Sequence, residues 1–509
     1  MSLSPTPSLD AVLAHRGDHT HVALAVTLLA DSHTPISLYR ALAAGRPRAF
    51  LLESVVGGEH MGRYSFVGSD VRAHLRFDDG RATITRMRNG HVELLEGPCA
   101  DPLDALQGEL ADWRVWSAPG LPRFIGGAVG FLGFDCVQAF EPRVTLPAEP
   151  GLGAPRGELL LADAIAAYDH VRRRVILVVH ASLEGDRAAA YAAAVDRLHA
   201  MVGRLALPAG APEAPWVLPD GPLPPVADTL PLARNRSRED FEDAVLQAKS
   251  AIRAGEVFQV VPSLRISASV QVTPLTLYRA LRAINPSPYM FLLQLGERAL
   301  VGASPEVLVR LDGDQLLVRP IAGTRKRGDS EAEDRALEAD LLADEKELAE
   351  HRMLVDLGRN DLGRVAAPGT VHVHDPEHIE RYAHVMHIVS EVRATLRPDL
   401  DAFDVFRACF PAGTVSGAPK VRACTLLSQL EPDRRGPYAG AVGYFGVDGS
   451  LDTCIAIRTL VVDQAGVHVQ AGAGIVHDSV PASEFEECQR KALSCLRALQ
   501  LAMLREGRA

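Results

Sequence analysis

Cysteine pairs are what this 509-residue sequence most plainly lacks. Its seven cysteines, Cys99, Cys136, Cys409, Cys424, Cys454, Cys488 and Cys495, are odd in number, scattered, and nowhere spaced C-x-x-C. That argues against a disulfide framework or a zinc ribbon and fits a reduced, cytoplasmic chain. Long apolar runs are missing too. The run from His21 to Ala30 is too short to span a bilayer, and the N-terminus has no basic region leading into an apolar core, so no membrane role is expected. Positive charge is scarce: 53 Lys and Arg against 64 Asp and Glu leave a net charge of −11. This excludes nucleic acid as the expected partner. An acidic protein acting on an anion needs a local Arg, Lys or metal to reverse the sign. Neither the phosphate loop G-x-x-x-x-G-K-[ST] nor a G-x-C-x-G nucleophile elbow occurs.

What is present is an ordinary globular composition, 47% hydrophobic and 23% charged. Thr34-Pro35 reads as an N-cap followed by proline at the first helical position, with Gly45 closing the helix. Strands are predicted at Ala49 to Ser54, Val71 to Phe77, Ala82 to Met87 and Val92 to Leu95, the last three joined by Asp-Gly and Asn-Gly turns. After a Gly-rich stretch, Phe124 to Asp135, come strands Leu159 to Tyr168 and Val175 to Val179 and an Ala-rich helix from Asp186 to Leu205. Residues 207–232 are proline-rich, without apolar period, and read as a linker. Beyond them lie a helix from Arg238 to Ala254 and strands Val257 to Ile266, Met290 to Leu295, Ala299 to Leu311 and Gln315 to Ile321. A long helix Ala332 to Leu357, strands Gly440 to Val447, Leu451 to Val462 and Val467 to Ile475, and a helix Ser483 to Met503 complete the chain. Hairpins with inserted helices predict an α+β fold with large antiparallel β-sheets, in two domains, 1–206 and 233–509.

Several residue patterns admit both a chemical and a bland reading. In FPAGTVSGAPKVRA, Thr414, Ser416 and Lys420 stand among Gly413, Gly417 and Pro419 before a helix, as an anion loop or an ordinary turn. Glu347 and Glu350, and Glu484 and Glu487, are i, i+3 pairs, each on one helix face. Facing one another they would suit Mg²⁺, whereas apart they are two solvated faces, with Ser483 and Glu486 as a capping box. Glu306 in GASPE is a general acid if its pKa is raised, or an exposed turn residue. Among His372, His374, His378, His384 and His387, the first two resemble a metal pair that nothing completes, and His387 sits among apolar neighbours as a core histidine would. Arg458, within small and apolar residues, needs an anion; Gly472, Gly474 and Tyr438 could supply N–H and hydroxyl donors to it.

These pieces occur together and in order. NPSPYMF, GASPE, PIAGTRKRG, DEKELAEHRMLVDLGRNDLGRV, YAHVMHIVS, PAGTVSGAPK, YAGAVGYF, IAIRT, QAGAGIV and SEFEECQRKA resemble the chorismate-utilising enzymes, and within them the large subunits of anthranilate synthase. The resemblance is strong from Arg238 to Leu501 and weaker in the first half. It implies a sandwich of sheets with helices outside, a catalytic second half and a regulatory first half. It implies Mg²⁺ held by Glu347, Glu350, Glu484 and Glu487 on the ring carboxylate of chorismate. Glu306 matches the acid that protonates the departing 4-hydroxyl as ammonia attacks, and His387 the histidine of pyruvate elimination. Tyr438, Arg458, Gly472 and Gly474 match the enolpyruvyl carboxylate pocket, Thr414 a residue beside the ring, and Lys420 is a weaker candidate charge partner.

Two departures bear on the nucleophile. Relatives that attack with water carry lysine where this chain has Gln259, and aminodeoxychorismate synthases carry P-I-K-G-T where it has Ala322. Both favour ammonia, and the missing nucleophile elbow implies a separate glutamine amidotransferase subunit in a hetero-oligomer. Aminodeoxychorismate synthase, aminodeoxyisochorismate synthase and a non-catalytic tryptophan-binding homologue are the alternatives. LLES with NPSPYMF resembles a tryptophan feedback site, in which Glu53 and Ser54 face Pro288, Tyr289 and Met290.

Overall fold

The computed structural model describes residues 3–54, 62–88, 91–206, 215–219, 221–382 and 385–507. The Asn89-Gly90 turn, His384 and residues 207–214 of the expected linker lie outside them. The described part of that segment is tied to the second half: Trp216 lies under the guanidiniums of Arg279 and Arg505, and Leu232–Arg234 pairs with Ser263–Ala268.

Local signals set many elements. Helix Pro35–Leu42 starts at Thr34, which accepts from the Ser37 amide while the Ser37 hydroxyl accepts from the Thr34 amide. The described strands form two twelve-stranded sheets and one small two-stranded sheet. Each large sheet joins strands from both halves of the chain. Arg48–Glu53 pairs antiparallel with Tyr289–Leu295 at the centre of one, and Gly127–Leu132 with Ala441–Gly446 at the centre of the other. Between the sheets lies an aromatic core that includes Phe50, Phe66, Phe124, Phe131, Phe291 and Tyr444. Helices Pro274–Ile284 and Pro481–Arg505 pack on the first sheet, Glu345–Gly363 and Ala402–Cys409 on the second. With both faces covered, strands such as Gly157–Ala162 are buried at every residue, and the alternation of a half-exposed sheet disappears. Truncating a fully buried ring such as Phe291 would cost about 3–5 kcal/mol. Among the described residues no helix is long and apolar enough to cross a membrane.

The structure breaks three predicted strands, each where the chain leaves one sheet for the other. Leu159 to Tyr168 divides at Asp163 into Gly157–Ala162 and Ala164–Asp169. Ala299 to Leu311 divides at Pro305 and Glu306 into Ala299–Ser304 and Val307–Asp312, and Leu451 to Val462 at Ala456 to Arg458 into Leu451–Ile455 and Thr459–Asp463. Apolar residues flank all three breaks and each break holds a single charged residue, Asp163, Glu306 or Arg458, so the apolar pattern reads as one longer strand. Pro305, without an N–H, accounts for the second break and Arg458 at φ +51° for the third. The predicted strand Val257 to Ile266 likewise divides into Gln259–Val260 and Ser263–Ala268 around Pro262. The long helix predicted from Ala332 to Leu357 is two, Glu331–Ala343 and Glu345–Gly363, because Asp344 caps the second by accepting from the amides of Lys346 and Glu347. The last helix starts at Pro481, ahead of Ser483, so the expected Ser483–Glu486 capping box is not formed.

Strand order also repeats. Outward from the central pair, the inner strands of each sheet read in the same chain order on its two sides. Tyr64–Gly68 passes to Val71–Asp78 as Ala299–Ser304 passes to Val307–Asp312. Gly157–Ala162 passes to Ala164–Asp169 as Leu451–Ile455 passes to Thr459–Asp463. A hairpin partner and a helix follow in both cases: Arg174–Ser182 with Arg187–Ala206, and Gly466–Gly472 with Pro481–Arg505.

Candidate active site

Glu306 sits at a crossover, its carbonyl accepting from the Ile455 amide at 3.0 Å, which ties the two breaks of the second half together. Burial pushes its carboxyl from 4.5 up to about 8, against opposing pulls from the Thr414 hydroxyl, Arg458 and Lys491. The Thr414 Oγ1 is itself buried and forms no hydrogen bond of full geometry. At neutral pH this carboxyl carries a proton that it can give away.

His387 lies on strand Val385–Thr395, opposite a bulge between Ala322 and Thr324. Gly323 takes φ +64° there, and its carbonyl lies 2.9 Å from His387 Nδ1. A carbonyl only accepts, so Nδ1 bears the hydrogen and Nε2 of the neutral ring is a free base. Burial holds the imidazole below its usual pKa; the bond to Gly323 opposes this and the Arg458 charge adds to it. Tyr382 meets the ring edge-on at 5.7 Å.

The two carboxylate pairs stand at the starts of two helices. Glu347 is raised by burial, by Glu350 and by Asp344, with Arg325 and Lys346 in opposition. Glu484 is raised by burial and by Glu487, with the Ser479 hydroxyl, Lys491 and Lys346 in opposition. Lys346 thus acts on carboxylates of both helices. Among the described residues no three His, Cys, Asp or Glu side chains are gathered closely enough to hold a metal ion, so the four glutamates stand as two pairs. Gln259 donates to Glu350 Oε1 at 3.1 Å and lies where a side chain on Gly474 would go, with Nε2 2.8 Å from that Cβ position.

The Arg458 side chain forms no hydrogen bond or ion pair among the described residues, although its carbonyl accepts from the Ala303 amide at 3.1 Å, and its left-handed backbone is a cost of order 1–3 kcal/mol. Ala439, beside Tyr438, takes φ +62° as well. A Cβ on Gly472 would come within 2.7 Å of the Tyr438 hydroxyl and 2.9 Å of the Pro262 carbonyl. Tyr438, Arg458, Gly472 and Gly474 therefore converge on the end of the strand Gly466–Gly472, beside Glu306.

Lys491 went unnoticed in the sequence. Its ammonium pairs with Glu487 at 2.7 Å, donates to the Gly472 carbonyl at 3.0 Å, and acts on Glu306 and Glu484. Its spacing was a usable signal, being four residues after Glu487 and seven after Glu484 on one helix face. Lys420, by contrast, is bound to Asp361 at 2.8 Å and to the Cys409 carbonyl at 3.1 Å, which anchors the helix Lys420–Leu430 and turns its charge away from this site. His372 and His374 are exposed on strand His372–Arg381.

The loop Ala412 to Ala418 clamps the short strand Gln259–Val260. Phe258 donates to the Ala418 carbonyl at 2.7 Å and Val261 to Ser416 at 3.0 Å. Gly417 has φ +129°, and a Cβ there would lie 2.1 Å from the Gln259 carbonyl oxygen. Gly417→Ala is expected to lower stability by about 2–4 kcal/mol. A denaturant midpoint equal to that of the parent would refute this.

Glu53, Ser54, Pro288, Tyr289 and Met290 line one cavity, with Arg123, Tyr444 and Asp452. Its open space is about 40 Å³, well below the ~300–1,000 Å³ of typical small-molecule pockets, so a ligand the size of an indole must spread the walls. The Glu53 carboxylate is already engaged, by Arg282 at 2.8 and 2.9 Å and by the Tyr278 hydroxyl at 2.7 Å. Tyr289 donates to Asp452, which also pairs with Arg123 and Arg310. Burial alone would raise Asp452, but the two arginines more than offset it.

A model of the chorismate binding enzyme family matches residues 47–497. Anthranilate synthase component 1 of Acetivibrio thermocellus is 42% identical over 499 residues, covering 97% of this chain and 99% of that relative. The protein of the same name from Pseudomonas aeruginosa PAO1 is 45% identical over 493 residues, 95% and 96% of the two chains. The crystal structure of anthranilate synthase component I from Streptococcus pneumoniae TIGR4 superposes with a TM-score of 0.73 at 35% identity, covering 92% of this chain and 99% of that one. The menaquinone-specific isochorismate synthase of Escherichia coli shares the fold, with a TM-score of 0.67 at 19% identity over 97% and 99% of the chains.

Proposed function

This chain belongs to the chorismate-binding enzymes, and we propose that it converts chorismate and ammonia to anthranilate and pyruvate, the first committed step of tryptophan synthesis, in the cytoplasm. The observation that carries this reading is an acid held protonated and a base held neutral around one cationic pocket: Glu306, His387, and Arg458 with Lys491. Arg458, Tyr438 and the amides near Gly472 and Gly474 orient the enolpyruvyl carboxylate. Ammonia adds to the ring as Glu306 gives its proton to the departing hydroxyl, which leaves as water. His387 Nε2 then takes the ring proton at the carbon bearing nitrogen; the enolpyruvyl C–O bond breaks, the released enolate takes up a proton at its methylene carbon to depart as pyruvate, and the ring becomes aromatic. Gln259 cannot deprotonate water, in keeping with ammonia as nucleophile.

Glu347, Glu350, Glu484 and Glu487 fit a divalent cation by donor type and charge, since burial and mutual repulsion raise one carboxylate of each pair. Bound there, Mg²⁺ would neutralise the ring carboxylate of chorismate. A glutamine amidotransferase subunit supplies the ammonia. Incubation with chorismate, Mg²⁺ and ammonium, followed by mass analysis, tests the reading. Anthranilate and pyruvate are expected; aminodeoxychorismate, an amine retaining the enolpyruvyl group, or no turnover would each overturn it.

In the same reading tryptophan binds the cavity of Ser54 and Tyr289 and inhibits, with residues 1–206 as the regulatory part and 233–509 as the catalytic part. Spreading its walls would displace strand Leu451–Ile455, which carries Asp452 at one end and holds Glu306 at the other through Ile455. Ser54→Phe is expected to leave catalysis intact and raise the tryptophan needed for half-inhibition roughly tenfold, since overpacking of a small cavity costs about 1–3 kcal/mol. Unchanged inhibition would remove Ser54 from the site.

A further inference from the structure

The crossovers that carry Glu306 and Arg458 have topological counterparts in the first half, and these counterparts open on a cavity. The chain leaves one sheet for the other at Ser69 and Asp70 and returns at Asp163. Between these points lies a cavity of about 360 Å³, within the range of small-molecule pockets. Arg46, Arg48, Arg72 and Arg197 face it, against two carboxylates, Asp70 and Asp163.

Both carboxylates already have partners. Arg197 grips Asp163 at 2.7 and 3.1 Å, and Arg204 reaches Asp70 at 3.4 Å. Arg197 lies on the helix that occupies the place of Pro481–Arg505 in the other half, the helix of Lys491. Arg72 stacks its guanidinium over Trp113 at 4.5 Å, which fixes its plane. Arg48 and Arg46 have no hydrogen bond or ion pair from their side chains among the described residues, and the Arg48 Nε is buried without a partner. A buried guanidinium N–H left unmade is costly, and an anion would satisfy it. With Arg197 on Asp163 and Arg204 on Asp70, Arg46 and Arg48 remain as two uncompensated positive charges, which a dianion balances.

We propose that this cavity is a second ligand site, for a small molecule bearing at least two carboxylate or phosphoryl groups. Arg48 is the central donor and Arg46 the outer one. Planar guanidiniums suit either group through paired N–H donors, so the source of the charge is a matter for the test.

Citrate and inorganic pyrophosphate, titrated separately into the full chain at constant ionic strength and followed by calorimetry, distinguish the two. Saturable binding of citrate alone identifies a polycarboxylate site, of pyrophosphate alone a phosphoryl site, and of both a general dianion site; each supports the proposal. Arg48→Ala is expected to weaken that binding about tenfold or more. Arg46→Ala, an exposed position where folding is not at risk, is expected to weaken it severalfold. Arg458→Ala should leave it unchanged, which separates this cavity from the catalytic pocket. Absence of saturable binding by either probe, binding that survives both Arg46→Ala and Arg48→Ala, or binding lost with Arg458→Ala overturns the proposal.

Discussion

Glu306→Gln is expected to lower kcat by about 10²–10⁴-fold, the usual share of a general acid, with little change in KM. The amide copies the shape and neutrality of the protonated carboxyl but has no proton to give. Because burial raises Glu306 to about 8, the acid is present at neutral pH and is lost as pH rises through that value. Parent activity should therefore fall on the alkaline side of about pH 8, and the variant's residual activity should lack that fall. Stability gives an independent check of sign. A carboxyl raised from 4.5 to about 8 in the folded state favours folding least where it must ionise, so stability declines as pH climbs through that interval. The amide of the variant does not titrate, so the variant should be no less stable than the parent above about pH 8. Full activity in the variant, or a parent profile that stays flat across the value at which Glu306 ionises, would sink the assignment.

The second large effect concerns the product. With His387→Ala, anthranilate formation is expected to drop by about 10²–10⁴-fold while chorismate is still consumed. The reason is the order of proton movements. In the proposed reaction the first step takes a proton from Glu306, and only the second uses a base at Nε2, which the Gly323 carbonyl keeps free by holding the hydrogen on Nδ1. The aminated ring compound that retains its enolpyruvyl group should therefore accumulate, visible by mass after short incubations. Anthranilate at the parental rate would exclude His387 as the base. Equal loss of chorismate consumption and anthranilate would show that it serves both steps.

Much of this was legible before any coordinates. The start of a helix announced itself through Thr34-Pro35. The motifs singled out Glu306 and Arg458 at two crossovers, His387 opposite a bulge on strand Val385–Thr395, and the paired glutamates at two helix starts. What stayed hidden has a common physical cause. In a sandwich covered on both sides, apolar runs flank each point where the chain changes sheets, so the single charged residues Asp163, Glu306 and Arg458 look like positions within one longer strand. Backbone groups leave no mark in composition either: the Gly323 carbonyl that sets the tautomer of His387 is a property of a bulge. Lys491 was discoverable from helical spacing, yet on a helix so rich in charge it looks like one more solvated side chain. Lys420 shows the reverse error, a cation beside a suggestive loop whose charge is taken up by Asp361.

The shared sheets also constrain how the chain is made. Strand Arg48–Glu53 pairs on one side with Tyr64–Gly68 and finds its other neighbour only in Tyr289–Leu295. Gly127–Leu132 pairs with Gly157–Ala162 and finds its other neighbour only in Ala441–Gly446. During synthesis the first half emerges with two apolar strand edges open and must keep them open until the second half arrives. Such edges are templates for pairing with other chains, and closure over long sequence separations is slow. Nascent chains stopped before Ala441 should therefore be the aggregating species, and the period between the emergence of Leu132 and Gly446 is when this protein depends most on chaperones.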